Sequence, residues 1–213
     1  MIKIYFKHLQ PKDTYKTLAE ATKEQLFKEK NSKFLGYAFP VTSEEEIKPI
    51  LLGLRKQHPN AVHFCYAYQL GTEQLSYRAN DDGEPSGSAG TPIYGQIQSF
   101  GITNVLLVIV RYFGGVKLGV GGLISAYKTA AQLSLESATI IEKTINVDYV
   151  AQFDYAHLNK VMRVIKEKNL AIHSQNMDMQ CEITLSTRKS AEANLLTAFE
   201  NLYEIVLKKK DVN

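Results

Sequence analysis

Asn80–Pro92 reads NDDGEPSGSAGTP and Arg111–Leu123 reads RYFGGVKLGVGGL, and between them runs the apolar segment Val105–Val110, VLLVIV. An apolar run without polar alternation is the pattern of a strand buried on both faces, so Val105–Tyr112 is predicted to be a central strand. Thr91-Pro92 predicts a helix start, with Thr as cap and Pro in the first turn, where its missing N–H costs nothing. That helix should run to Phe100, with Gly101 as its C-cap. The second block turns the strand into a helix predicted over Gly121–Ala138. Ten of the 13 glycines fall between Gly83 and Gly122. Glycine is favoured where the chain takes positive φ or another group approaches the main chain closely. The charge pattern is as uneven: no Asp or Glu lies between Glu84 and Glu136, while Arg111, Lys117 and Lys128 do.

On the N-terminal side, after an irregular start, Thr14–Ala21 and Lys23–Lys30 read as two strands forming a hairpin, followed by a third over Lys33–Val41. Ser43 and Glu46 have capping-box spacing, and Ile47, Ile50, Leu51 and Leu54 recur at helical period, predicting a helix that ends at His58-Pro59. Val62–Leu70 is rich in strand formers, and Gln74–Ala79 is placed to pair with it across a turn at Gly71. After Lys143 the order reads strand, helix, strand, strand, helix, strand. Leu158, Val161, Met162 and Ile165 are expected on the buried face of its first helix. This β-α-β-β-α-β order is the ferredoxin-like arrangement. The chain therefore reads as an α+β protein of two domains, residues 1–140 and 141–213.

The composition, 45% hydrophobic and 22% charged over 213 residues, is that of a soluble globular protein. The longest apolar run falls far short of the ~20 residues of a membrane helix, and the N-terminus lacks the apolar core of a signal peptide; a cytoplasmic protein with no membrane partner is expected. Two cysteines, Cys65 and Cys181, lie in predicted strands and read as buried free thiols. The five histidines are scattered, without zinc-ligand spacing, so neither metal nor cofactor is expected. A net charge of +3 permits an RNA or phosphate partner without demanding one.

A glycine-rich turn between a buried strand and a helix N-terminus is a place where phosphates are held, by outward N–H groups and the helix dipole. Arg111, Tyr112, Phe113, Gly114, Gly115, Lys117, Gly119, Gly121 and Gly122 are the candidates for a phosphate, RNA or partner-binding face, with Tyr112-Phe113 placed to stack on bases. Neither the Walker pattern nor G-x-G-x-x-G is present, and a tight structural turn is the competing reading. Asp81, Asp82, Gly83, Glu84 and Ser86 form an acidic loop. Its carboxylates could hold a divalent cation or act as acid and base. Alternatively they pair with Arg78, Arg111 or Lys117 and cap the helix that follows. His63 is a strand histidine with Cys65 on the same strand face; a hydrogen-bonded structural role competes with that of a base.

KNSKFLGYAFPV, HPNAVHFCYAY, DDGEPSGSAGTP and NVLLVIVRYFGGVKLGVGGLISAY, in this order over about residues 30–135, resemble the IMPACT/YigZ family. The resemblance implies an N-terminal domain similar to the second domain of ribosomal protein S5, an α/β sandwich. It also implies a C-terminal domain similar to one in ribosomal translocation factors. It further implies a non-enzymatic, translation-linked regulator with a ribosome, RNA or translation-associated protein as partner and no DNA sequence readout. Eukaryotic relatives bind a ribosome-associated activator and so restrain a starvation-responsive kinase. The alternative is a Mg-dependent enzyme acting on a nucleotide or phosphorylated substrate. Oligomeric state is left open.

Overall fold

The computed structural model describes residues 13–178 and 180–210; the irregular start expected before Asp13 lies outside them. Contacts divide the described residues into two compact units, one over Tyr15–Lys143 and one over 144–178 and 180–210 together with 13–14. The protein is α+β in both.

In the first unit the elements are β1 (Thr14–Leu18), β2 (Gln25–Glu29), β3 (Ser32–Pro40), α1 (Ile47–Gln57), β4 (His63–Leu70), β5 (Ser76–Asn80), α2 (Gly90–Phe100), β6 (Val105–Tyr112), α3 (Gly119–Glu136) and β7 (Ile140–Thr144). A five-stranded sheet has the order β2-β3-β6-β4-β5, and every neighbouring pair in it is antiparallel. The unbroken apolar run does become its centre: Val105 through Val110 are fully buried. Side chains alternate across the sheet. Leu107 and Ile109 join Cys65, Ala67 and Phe34 beneath α2 and α3. Leu106, Val108 and Val110 join Leu35, Phe64 and Tyr68 beneath α1.

Four local expectations are corrected. The N-terminal hairpin is β2-β3, not β1-β2: Lys30 and Asn31 take φ of 44° and 65°, the pair of positive angles that a two-residue hairpin turn requires. β1 pairs instead with β7 in a separate two-stranded sheet. Helix α1 starts at Ile47 rather than Ser43, because Glu46 Oε1 is held by the Thr42 backbone N–H (3.2 Å) and hydroxyl (2.7 Å), which closes a turn ahead of the helix. Helix α3 starts two residues earlier than expected, at Gly119.

The second unit consists of β8 (Asn146–Phe153), α4 (Leu158–Glu167), β9 (Ala171–Met177), β10 (Cys181–Arg188), α5 (Glu192–Phe199) and β11 (Val206–Lys209), with sheet order β11-β8-β10-β9. This is the ferredoxin-like order. Val147, Tyr149, Ala151 and Phe153 alternate inward from β8 against Val161, Val164 and Ile165 of α4. Met162 is not on that face: Val164 takes the buried position and Met162 is exposed. Both cysteines are free and buried. Among the described residues no helix is long and apolar enough to cross a membrane.

The glycines of the second block differ in what they do. A Cβ at Gly114 would lie 2.1 Å from the Asn31 carbonyl carbon and 2.3 Å from the Ser32 nitrogen, so the strand end can pass the β2-β3 turn only as glycine. A Cβ at Gly121 would meet nothing within 4 Å. Gly114→Ala should therefore lose about 1–3 kcal/mol of stability through overpacking. Gly121→Ala should be neutral or gain up to about 1 kcal/mol from the lower entropy cost of fixing alanine. Urea unfolding of the two variants checks the contrast.

Candidate functional site

The acidic loop folds inward onto the sheet and its three carboxylates each close a different join. Asp81 Oδ1 accepts the backbone N–H groups of Ala89 (2.9 Å) and Gly90 (2.8 Å), and Oδ2 accepts that of Gly87 (2.8 Å). It is thus the cap of α2, supplying both a hydrogen-bond acceptor and a negative charge at the positive end of the helix. Thr91, expected to cap, lies inside the helix. Burial pushes the Asp81 carboxyl upward, but the three N–H donors outweigh it and hold the group below its ordinary value. Asp82, at φ 42°, accepts the Phe64 N–H at 2.6 Å and Arg55 Nη2 at 2.8 Å, joining the loop to β4 and α1.

Glu84 completes the set. Its Oε1 accepts Arg111 Nη1 at 2.5 Å and the Tyr127 hydroxyl at 2.8 Å. The Arg111 and Glu84 side chains are 5% and 4% exposed. Arg111 shares strand parity with Leu107 and Ile109, so it points under α3, where Tyr127 waits. Its guanidinium also lies 5.4 Å from the Phe34 ring and 5.6 Å from the Phe113 ring. Its Nε has no hydrogen-bond partner in the described structure. The two glycine blocks do meet, and they meet through this ion pair; Arg111 is a core residue, not a free anion ligand.

His63 is held between the loop and the sheet. Its Nδ1 lies 2.8 Å from the Asp82 carbonyl, which can only accept, so Nδ1 carries the proton. Its Nε2 faces Glu84 at 3.7 Å. Cys65 is not its partner: the thiol donates to the Asp81 carbonyl at 3.0 Å, with the Tyr127 oxygen at 3.3 Å. Burial is the main reason that the Cys65 thiol and the Tyr127 hydroxyl are both pushed far up, with Glu84 and its acidic neighbours adding to it. Cys65 is thus a buried thiol held by hydrogen bonds beneath the loop.

Tyr112 is half-buried on the α1 side, its hydroxyl 3.0 Å from His58 Nδ1. The buried His58 Nε2 lies 2.7 Å from the Tyr37 hydroxyl, and Tyr37 in turn donates to Glu24. Tyr112 is therefore tied into the sheet, not free to stack on a base. The remaining candidates are at the surface: Phe113 (49% exposed), Gly115, Lys117, Gly119 and Gly121 are exposed, Gly122 is half-buried, and in the first block Gly83 and Ser86 are exposed. The structure adds residues that spacing did not single out. Val116 (46%), Val120 (54%) and Ile124 (40%) are exposed beside them. Val120 and Ile124 lie one turn apart on α3, a spacing that was readable in the sequence. Tyr127 could have been found as the polar-tipped member of the apolar face Leu123-Ala126-Ala130.

The Impact N-terminal domain model matches residues 30–135. The chain is 33% identical to the IMPACT family member YvyE of Bacillus subtilis over 171 residues, 78% of this chain and 78% of that one. The chain belongs to the IMPACT family. Another IMPACT family member, YigZ of Escherichia coli, is 35% identical over 136 residues, 62% of this chain and 66% of that one. Among solved structures, the crystal structure of a hypothetical protein superposes with a TM-score of 0.71 at 25% identity, covering 94% of this chain and 99% of the other. Both glycine blocks, the buried ion pair and Tyr127 all fall within the residues that the IMPACT N-terminal domain spans.

Two variants test this arrangement. Glu84→Gln leaves Arg111 buried without a counter-charge and should cost about 3–5 kcal/mol in urea unfolding. Asp81→Ala should cost about 1–2 kcal/mol at pH 7 through loss of the cap. Because the folded Asp81 pKa lies below its ordinary value of 3.8, its stabilisation is complete above about pH 4–5. It fades as pH falls through the folded value. The gap between wild type and Asp81→Ala should therefore narrow as the pH of the unfolding titration drops toward 3.

Proposed function

We propose that the protein is a non-catalytic binding protein of translation. It holds RNA phosphate on the ribosome, or an acidic segment of a ribosome-associated protein, on the face formed by Phe113–Lys128. One observation carries this reading: the face exposes glycine backbone, large apolar side chains and the cations Lys117 and Lys128, while the sequence supplies no carboxylate from Pro85 to Leu135. The acids of the first block, which would otherwise screen it, are engaged with Arg111, Arg55 and the N-terminus of α2. Basic groups without nearby acids attract polyanions at long range. The exposed N-terminal turn of α3, whose cap makes no side-chain hydrogen bond, adds N–H donors of the kind phosphates and carboxylates accept. The translation link comes from what IMPACT membership implies.

The same contacts favour binding over catalysis. A Mg²⁺ ion at Asp81, Asp82 or Glu84 would have to displace hydrogen bonds that hold α2, β4 and β6 together.

Ribosome co-sedimentation across a salt series, with and without nuclease, tests the proposal. Wild type should bind at low salt and release as salt rises, because released counterions favour low-salt binding. Lys117→Glu combined with Lys128→Glu should weaken binding about tenfold or more and flatten the salt dependence, with unchanged melting temperature. Loss of binding on nuclease treatment assigns the contact to RNA; persistence assigns it to protein. No binding at low salt, or equal binding by the double variant, overturns the proposal.

A further inference from the structure

The five-stranded sheet is covered unequally. Helices α2 and α3 cover one side. On the other, α1 packs over Leu35, Phe64 and Tyr68, and the sheet continues past it to β5. The uncovered strip is a groove of about 330 Å³ between α1 and the β4-β5 pair. Lys48, Leu51, Leu52 and Arg55 line it from the helix, at the spacing that puts four residues on one helical face. Tyr66 and Tyr68 form its floor, and Arg78 of β5, directly opposite Tyr68 in the ladder, forms its outer wall. Leu52 is half exposed.

The groove is cationic. Arg55 is held by Asp82 at 2.8 Å and lies 4.5 Å over the Phe64 ring, so one positive charge is fixed in place there. Lys48 and Arg78 are exposed, and neither takes part in an ion pair among the described residues. Glu44 is the single acid on the lining, and burial together with Glu44 pushes the Tyr68 hydroxyl upward.

Among the described residues, the groove also opens onto an unpaired sheet edge. β5 ends the strand order, and Ser76–Ala79 are exposed. Edge strands present main-chain N–H and C=O groups that an incoming strand can pair with. On the α2 side of this edge, Tyr77 stacks on Tyr94 at 4.3 Å between ring centroids, and Tyr77 remains largely exposed.

We propose that the β5 edge and the groove behind it form a docking site for an extended acidic segment of a partner protein, added as a sixth strand. Side chains of a strand alternate between faces. The segment's carboxylates meet Arg78 and Lys48 on the α1 side, and its apolar side chains cover Tyr77 and Tyr94 on the other. A protein segment fits better than a single-stranded nucleic acid. Base recognition of that kind needs open aromatic faces, whereas Tyr68 on the groove floor is 4% exposed and Tyr77 already has one face stacked on Tyr94. The free main-chain edge is specific to a peptide. This site stands apart from the Phe113–Lys128 face and does not depend on it.

Fluorescence anisotropy of the full chain with a short fluorescein-labelled peptide alternating valine and glutamate tests the proposal. Wild type should bind saturably. Methylation of alternate backbone nitrogens in the peptide, or lysine in place of glutamate, should weaken binding at least about tenfold, since the first removes strand pairing and the second reverses the charge match. The double variant Lys48→Glu with Arg78→Glu should lose binding to the same degree while melting as wild type does, because both side chains are exposed. Reversal of an exposed cation of the second unit, Lys166→Glu, should leave peptide binding unchanged. Absence of saturable binding, insensitivity to the Lys48/Arg78 reversal, or indifference to backbone methylation overturns the proposal. So does a uridine oligonucleotide that binds in place of the acidic peptide and is lost in the same double variant.

Discussion

The buried pair between Glu84 and Arg111 is the contact on which the N-terminal unit is organised. Each side chain is almost wholly removed from water, and a charge so placed is tolerated only with a partner. Arg111 lies next to the end of the central strand β6 and Glu84 sits in the loop before α2, so satisfying both charges fixes that loop against the middle of the sheet. Tyr127 brings α3 to the same oxygen. One carboxylate therefore ties together the central strand, the loop that leads into the helix before it and the helix after it. Asp81 and Asp82 extend the fixation to α2, β4 and α1.

The two glycine blocks consequently divide the work. The first uses its glycines to let a loop with three carboxylates fold inward, with positive φ at Gly83 and Gly87. The second uses Gly114 to pass close to the β2-β3 turn, then leaves Gly115, Gly119 and Gly121 open to solvent beside Lys117 and Val120. The negative charge stays under the surface and the positive charge on it. That separation, rather than any single residue, is what supports the proposal that this face takes a polyanionic partner.

Much of this was legible in the residues. The unbroken VLLVIV run identified the central strand because no polar residue interrupts it, and the strand-helix-strand-strand-helix-strand order after Lys143 placed the second sheet. The pairing of β1 with β7 was not legible, since two short strands so far apart in sequence carry no mark of which partner each will choose. Nor was the cap on α2: Thr91 is a good capping residue locally, and a distant carboxylate, Asp81, took its place. Strand parity alone puts Arg111 on the side of Leu107 and Ile109. Parity does not say that a helix covers that end of the strand, and this is what turned Arg111 from a candidate ligand into a core ion pair. The same limit hid the β5 groove, which is lined jointly by α1 and the β4-β5 pair.

The central claim is that the acidic loop is locked by buried charge, and native-state hydrogen exchange measures that directly. The backbone N–H groups of Phe64, Gly87, Ala89 and Gly90 should exchange slowly in wild type, with opening energies approaching those of β6. In Glu84→Gln they should exchange faster, well before protection in β8 and β10 changes. Exchange of Gly87, Ala89 and Gly90 at the rate of an open surface loop in wild type would contradict the account.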